Sequence, residues 1–171
     1  VNLTLLPAPA GSGIRFRRTD LDGKPEIEAL VENVADTQRS TTLAKGNIRI
    51  HTVEHVLAAL SGCGIDNAII ELDASEPPIG DGSSAAINEA IEKAGLSNLD
   101  NHRELYRLTE PIELQTRDSH VAAFPYDGFK ISCTSTDNKN RYTQFFSLEL
   151  TPDSWQREIA RARTFCFYEE I

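Results

Sequence analysis

The sequence lacks the features of a membrane-spanning, secreted or nucleic-acid-binding protein. No apolar run among its 171 residues approaches the roughly 20 needed to cross a bilayer, and no basic start or cleavage site indicates a signal peptide. The 17 Lys and Arg are outnumbered by 26 Asp and Glu, and the net charge of −9 argues against binding to phosphate backbones. We therefore expect no transmembrane segment and no nucleic-acid partner. Because Met is absent, even at position 1, we expect the natural N-terminus to lie upstream.

Cysteine is also scarce. Cys63, Cys133 and Cys166 lie far apart and form no C-x-x-C pair. This spacing disfavours both a zinc site built from thiolates and a disulfide framework. We interpret the three as free, mostly buried thiols of a protein in the reducing cytoplasm, where disulfides are rare.

The composition, 40% apolar and 25% charged, is typical of a globular chain with one ordinary domain or two small ones. Alternating apolar and polar residues predict strands in the first half, at residues 1–6, 14–17, 26–33, 48–50 and 68–72. Before the last of these strands, apolar residues at i, i+3, i+4 and i+7 predict a helix. Its buried face is Val53, Val56, Leu57 and Leu60. Thr52 is the predicted cap, and Gly62 or Gly64 the predicted end.

A second helix is predicted after the turn signal Asp81-Gly82, with Ser83 or Ser84 as its cap and Gly95 past its end. Residues 95–104 are polar and aperiodic, so we place a domain boundary there. We expect Asp81 and Gly82 to serve as a structural turn and not in catalysis.

The second half repeats the plan of the first. Strands are predicted at 105–108, 111–115, 120–125 and 129–133, with Asp127-Gly128 as a hairpin turn between the last two. Thr151 and Pro152 predict the cap and first residue of a helix. Its buried face is Trp155, Ile159 and Ala162. The sequence thus predicts an α+β fold of two similar domains, 1–98 and 103–171, each with the order strands, helix, strand, helix. The second domain would lack its final helix.

Residues 51–55, with the letters HTVEH, carry the most informative pattern. In an H-x-x-E-H motif on a helix, imidazoles at i and i+4 can hold one zinc, while the Glu acts as the base that activates water. Alternatively, His51 and His55 are two surface histidines at a helix start. Because His51 follows a strand and precedes the predicted cap, we expect it to lie outside the helix. Only Glu54 and His55 would then project together.

Further motifs, in one consistent order, resemble those of the UDP-3-O-acyl-N-acetylglucosamine deacetylases. They are 5–9 (LLPAP), 16–21 (FRRTDL), 52–60 (TVEHVLAAL), 64–67 (GIDN), 76–83 (EPPIGDGS) and 159–165 (IARARTF). The resemblance implies two α+β domains, each a β-sheet with a pair of helices packed on one face, with the helices sandwiched between the sheets. It also implies a zinc-dependent amidohydrolase that releases acetate from UDP-3-O-(3-hydroxyacyl)-N-acetylglucosamine. We would then expect a cytoplasmic, monomeric enzyme of lipid A and lipopolysaccharide biosynthesis in a Gram-negative bacterium, acting at the committed step.

The resemblance also assigns roles by position. Glu54 matches the general base, His55 the first zinc ligand, and Thr164 the residue that steadies the oxyanion. Three further positions match the acyl-chain passage and the sugar-nucleotide site: Phe165, Phe167 and Glu170. From the residues alone, Thr164 would be an ordinary strand residue and the two phenylalanines core aromatics.

The chain departs from the family pattern at both ends. The family's other zinc ligands, a His and an Asp one helical turn apart, have no counterpart after His55, and its first strand has none before Val1. We therefore expect the 171 residues alone to bind zinc weakly and to be inactive. Two alternatives remain. One is an H-x-x-E-H zinc peptidase, in which His51 is a second ligand, and the other is a non-catalytic α+β binding domain.

Overall fold

The computed structural model describes residues 1–136 and 143–164. The chain is α+β, with several sheets and short helices, and this predicted fold class is confirmed. It forms two compact units: Val1–Asn101 with the chain from Gln156 onward, and His102–Trp155. The domains at 1–98 and 103–171 remain a prediction, and the units divide the chain differently after Trp155. Within the described ranges, no helix has the length and apolar character that crossing a bilayer requires.

The first unit contains a mixed sheet, a small antiparallel sheet and two helices of more than two turns among its described residues. The strands are β1 (Leu3–Pro7), β2 (Ile14–Arg18), β3 (Glu26–Glu28), β4 (Val34–Asp36), β5 (Thr42–Lys45), β6 (Ile48–Ile50) and β7 (Ala68–Leu72). The helices are α1 (Glu54–Gly62) and α2 (Ala85–Ala94), and a 3₁₀ turn covers Val31–Asn33. The mixed sheet has the order β1-β7-β2-β3, in which β7 is antiparallel to β1 and parallel to β2. The small sheet has the order β4-β5-β6.

The core of the first unit draws on both sheets and on α1. Phe16 and Ile70, on neighbouring strands of the mixed sheet, are 0% exposed, because every second residue of each strand points to the same buried side. From the predicted helix face, Val56 and Leu60 are at most 1% exposed. Burying each such side chain contributes roughly 1.5–3 kcal/mol. The core therefore fixes α1, and with it the residues at the start of that helix.

The second unit contains two hairpins. β8 (Ile112–Gln115) pairs with β9 (His120–Ala123), and β10 (Lys130–Thr136) pairs with β11 (Thr143–Glu149). The predicted hairpin turn at Asp127-Gly128 is wrong, because β9 pairs back with β8 instead of forward with β10. The first hairpin turns instead at residues 116–119, where the Thr116 N–H donates to the Ser119 carbonyl at 2.8 Å. The strand predicted at 105–108 is also wrong, since those residues are irregular.

The predicted helix start at Thr151 is confirmed. The Thr151 hydroxyl accepts a hydrogen bond from the Ser154 N–H at 3.1 Å, and Pro152 is the first helical residue of α3 (Pro152–Ser154). A π-helical turn, Trp155–Ile159, follows. Because a π-turn brings together residues five apart, Ala160 is the next buried residue after Trp155. The predicted burial of Ala162 is therefore wrong, and that residue is exposed.

Candidate active site

The HTVEH segment changes from strand to helix partway along its length. β6 ends at Ile50 and α1 begins at Glu54, so His51 lies outside the helix, as expected. The Nδ1 atom of His51 lies 3.0 Å from the Thr42 hydroxyl, on the neighbouring strand of the small sheet. His51 and His55 therefore do not occupy positions i and i+4 of one helix. The geometry that an H-x-x-E-H zinc site requires is absent from this segment.

Thr52 has a left-handed backbone conformation at the entrance to α1. Its φ is 55°, which is strained for a β-branched residue and costs about 1–3 kcal/mol. The predicted capping role is wrong, because Val53 occupies the cap position without a side-chain bond. The Thr52 hydroxyl instead donates to Glu76 Oε1 at 2.5 Å. Because Glu76 is exposed, solvent weakens this hydrogen bond, which offsets part of the strain.

Glu54 is the first residue of α1 and is half-buried. Its Oε2 accepts a hydrogen bond from the Thr41 backbone N–H at 2.9 Å. The Thr41 carbonyl in turn accepts from the Val53 N–H at 3.2 Å. The Thr41 backbone thus bonds both Val53, the residue before α1, and the carboxylate of Glu54, the first residue of α1. This double contact orients the Glu54 carboxylate and engages only one of its two oxygens.

His55, also half-buried, is tied to the start of α2. The buried Ser84 hydroxyl donates to the His55 carbonyl at 3.0 Å. Ser84 is the cap residue of α2, but its side chain does not cap that helix. The adjacent Ser83 hydroxyl does so instead, accepting from the Ala85 N–H at 3.1 Å. The N-terminal ends of α1 and α2 are therefore held side by side.

Asp81 and Gly82 form the predicted turn before α2. Asp81 Oδ1 accepts from the Ser83 hydroxyl at 2.6 Å and from the Ser83 N–H at 3.1 Å. These two bonds favour the charged carboxylate and lower the pKa of Asp81 below its usual value. Gly82, with a φ of 82°, supplies the left-handed residue that the turn requires.

Thr164 reaches the same turn from the other end of the chain. Its backbone N–H donates to the Gly82 carbonyl at 2.8 Å. The chain from Gln156 is also bonded to α2, because the buried Asn88 side-chain amide donates to Gln156 Oε1 at 3.0 Å. Thr164 therefore lies beside the turn whose next residues contact the first turn of α1. The structure thus brings Glu54, His55 and Thr164 to one end of the helix pair.

The donor types at this end fit part of a zinc site. A half-buried imidazole at a helix start is an ordinary zinc ligand, and a neighbouring carboxylate can serve as base. Across residues 1–136 and 143–164, no group of three or more His, Cys, Asp and Glu side chains could hold a metal ion. The predicted substrate-binding residues Phe165, Phe167 and Glu170 lie outside the described part of the chain and stay predictions.

Sequence reasoning did not identify the contacts that orient the site. Ser84 was predicted only as a helix cap, and Glu76 only as part of a motif. The Thr41 contact uses a backbone N–H, so no residue type in the sequence indicates it. Each of these partners comes from a loop that is remote in sequence from α1.

The family model that matches this α+β chain is that of a deacetylase family. The chain belongs to the LpxC family, UDP-3-O-acyl N-acetylglycosamine deacetylase, whose family model matches residues 1–171. The chain is similar to the UDP-3-O-acyl-N-acetylglucosamine deacetylase of Saccharophagus degradans, with 44% identity over 175 residues. The proteins of the same name from Methylococcus capsulatus and Pseudomonas entomophila are 42% and 41% identical over 174 residues. In all three comparisons the whole chain is covered, and it spans 57% of the relative's length.

Proposed function

We propose that the full-length protein hydrolyses the N-acetyl group of UDP-3-O-(3-hydroxyacyl)-N-acetylglucosamine, with zinc, and releases acetate. The observation that carries this proposal is that Glu54 and His55 begin α1 while Thr164 bonds the turn before α2, whose start is bonded to His55, in a chain of the LpxC family. The names of its relatives supply the substrate class. Under this proposal the protein acts in the cytoplasm of a Gram-negative bacterium, as a monomer, at the committed step of lipid A biosynthesis.

His55, Glu54 and Thr164 each have a separate role in the proposed reaction. His55 would hold the zinc together with ligands from elsewhere in the full-length protein. The metal would supply a positive charge that polarises the amide carbonyl and favours deprotonation of water. Glu54, oriented by the Thr41 N–H, takes a proton from the attacking water and passes it to the leaving nitrogen. Thr164 donates its hydroxyl to the oxyanion that forms on the carbonyl oxygen, a contact that typically contributes about 2.7–4 kcal/mol.

We propose that the 171 residues alone, with His55 as the one zinc ligand expected from them, bind zinc weakly and have no deacetylase activity. Isothermal titration with zinc and an acetate-release assay on this chain test the statement. Tight one-to-one binding, or turnover close to that of the full-length protein, would contradict it.

Three variants of the full-length protein test the proposed function, with acetate release and bound zinc as the readouts. Glu54→Gln is isosteric, so kcat should fall about 10²–10⁴-fold while bound zinc stays unchanged. His55→Ala should lose the metal as well as the activity. His51→Ala is the matched control and should retain both. If Glu54→Gln deacetylated the sugar at the wild-type rate, Glu54 would not be the base, and this part of the protein would be a non-catalytic α+β domain. If His51→Ala lost its zinc, the peptidase-type site would be correct.

A further inference from the structure

We propose that Thr52 and Glu76 are positioning residues, whose shared hydrogen bond holds the left-handed turn that orients Glu54 and His55. This inference rests on the proposed function of those two residues as base and ligand. Thr52 precedes Glu54 by two positions and His55 by three. A change in its backbone angles would therefore rotate the start of α1 together with both side chains.

The turn is confined between two buried anchors. Ile50, the last residue of β6, and Val53, the residue before α1, are both 0% exposed. The chain must change from a strand to a helix within the two residues between them. Thr52 makes this change with a φ of 55°, a conformation that glycine adopts without strain and threonine does not. The Thr52 hydroxyl bond to Glu76 is an interaction of the threonine side chain that can offset this strain.

Residues 51 and 52 are attached at consecutive points to the loop after β7. The His51 N–H donates to the Ser75 carbonyl at 2.8 Å, and the Thr52 hydroxyl donates to the Glu76 carboxylate at 2.5 Å. On the other side, the Thr41 backbone bonds both Val53 and Glu54. The Thr52–Glu76 bond is the part of this arrangement formed between two side chains. It can therefore be altered by mutation while the backbone bonds stay available.

The sharpest test compares three substitutions of Thr52 in the full-length protein. They distinguish the effect of losing the hydroxyl bond from the effect of relieving the backbone strain. Thr52→Val keeps the shape and the strain but loses the bond, so kcat should fall at least about tenfold while KM changes less than about twofold. Thr52→Ser keeps the hydroxyl and should stay near wild type. Thr52→Gly loses both the bond and the strain, and its kcat should lie between the other two.

Hydrogen exchange at the Val53 and Thr41 amides provides a readout that does not depend on activity. Thr52→Val should speed exchange at both amides about tenfold, because the turn they support opens more often. The matched control is Thr19→Val, which removes another hydroxyl bond of the first unit, the 3.0 Å contact to the Leu72 carbonyl. It should change neither kcat nor exchange at these two amides. If Thr52→Val does not fold, Glu76→Gln serves instead, with an expected fall in kcat of about threefold as the bond loses its charge.

Two results would overturn the inference: wild-type exchange and kcat in Thr52→Val, or a loss in Thr52→Ser equal to that in Thr52→Val. A full-length wild-type protein that releases no acetate would instead remove the proposed function. In that case the exchange measurement still decides whether Thr52 and Glu76 hold the turn.

Discussion

The two compact units differ in how far they bury the apolar side chains of their amphipathic strands. In the first unit Phe16 is 0% exposed, whereas Phe145 and Phe146 in the second unit are 69% and 47% exposed. Both regions contain amphipathic strands, and in β10–β11 Cys133 lies opposite Phe146 on the same face as Ile131 and Leu148. The difference shows that alternation identifies a strand and its apolar face. It does not indicate whether another layer of the described chain covers that face.

The largest expected effect contrasts one phenylalanine from each unit. Phe16→Ala in the 171-residue chain should lower the free energy of unfolding by about 3–5 kcal/mol, because it leaves a cavity in a close-packed core. Phe146→Ala should change it by less than about 0.5 kcal/mol, because the ring is already half in solvent. Urea unfolding followed by far-UV circular dichroism measures both. Equal losses would show that the hairpin face is packed as firmly as the core, and the contrast would fail.

A smaller effect is expected from the polar groups of the two units. Asn88 is 2% exposed and bonds Gln156, Glu92 and the Cys63 thiol, so Asn88→Ala should cost about 1–3 kcal/mol. The control is Ser132→Ala, which removes the exposed 2.7 Å hydroxyl pair with Ser147 across β10–β11. Its cost should stay within about 0.5 kcal/mol. Thermal unfolding of both variants measures the difference, and a larger loss in Ser132→Ala would contradict it.

The smallest expected effect is an acid dependence within the first unit. The Arg18 guanidinium donates to both oxygens of Asp20, at 2.8 and 2.7 Å, and lowers the pKa of that carboxyl below its ordinary value of 3.8. A lowered folded-state pKa means that the stabilisation is complete above about pH 4 and is lost as pH falls towards the lower value. Unfolding measured at a series of acid pH values should therefore show a shallower decline in Asp20→Asn than in wild type.

A matched change tests the cause of that acid dependence. Arg18→Met keeps most of the side-chain volume and removes the donors, so the pKa of Asp20 should return towards 3.8 in a carboxyl NMR titration. An unchanged titration would show that Arg18 is not responsible.

The sequence predicted elements well where a local pattern decided the structure. The bounds of β6 and β7 match the predicted strands, and Gly95 follows α2 as expected. The predictions failed where pairing with another segment of the chain determined the structure. The Asp127-Gly128 signal is a typical hairpin turn, yet β9 pairs with β8. The short strands β4 and β5 were not predicted.

In the candidate site, too, the features set by local sequence could be predicted, and those set by distant contacts could not. The neighbouring positions of Glu54 and His55 could be read from five letters of sequence, as could the placement of His51 outside the helix. The left-handed turn at Thr52 could not, because threonine ordinarily avoids it and Glu76 is 24 positions away. Contacts through backbone atoms, such as that of Thr41, leave no signature in residue types. Only the folded chain reveals them.

The order of the mixed sheet has a consequence for synthesis of the chain. β7, which lies between β1 and β2, is the last of the four in sequence. During translation, β1 leaves the ribosome long before its neighbour exists, and only the β2–β3 pair can form locally. Assembly of the sheet must therefore wait for residue 72, and a nascent chain paused before that point would present unpaired strand edges to chaperones.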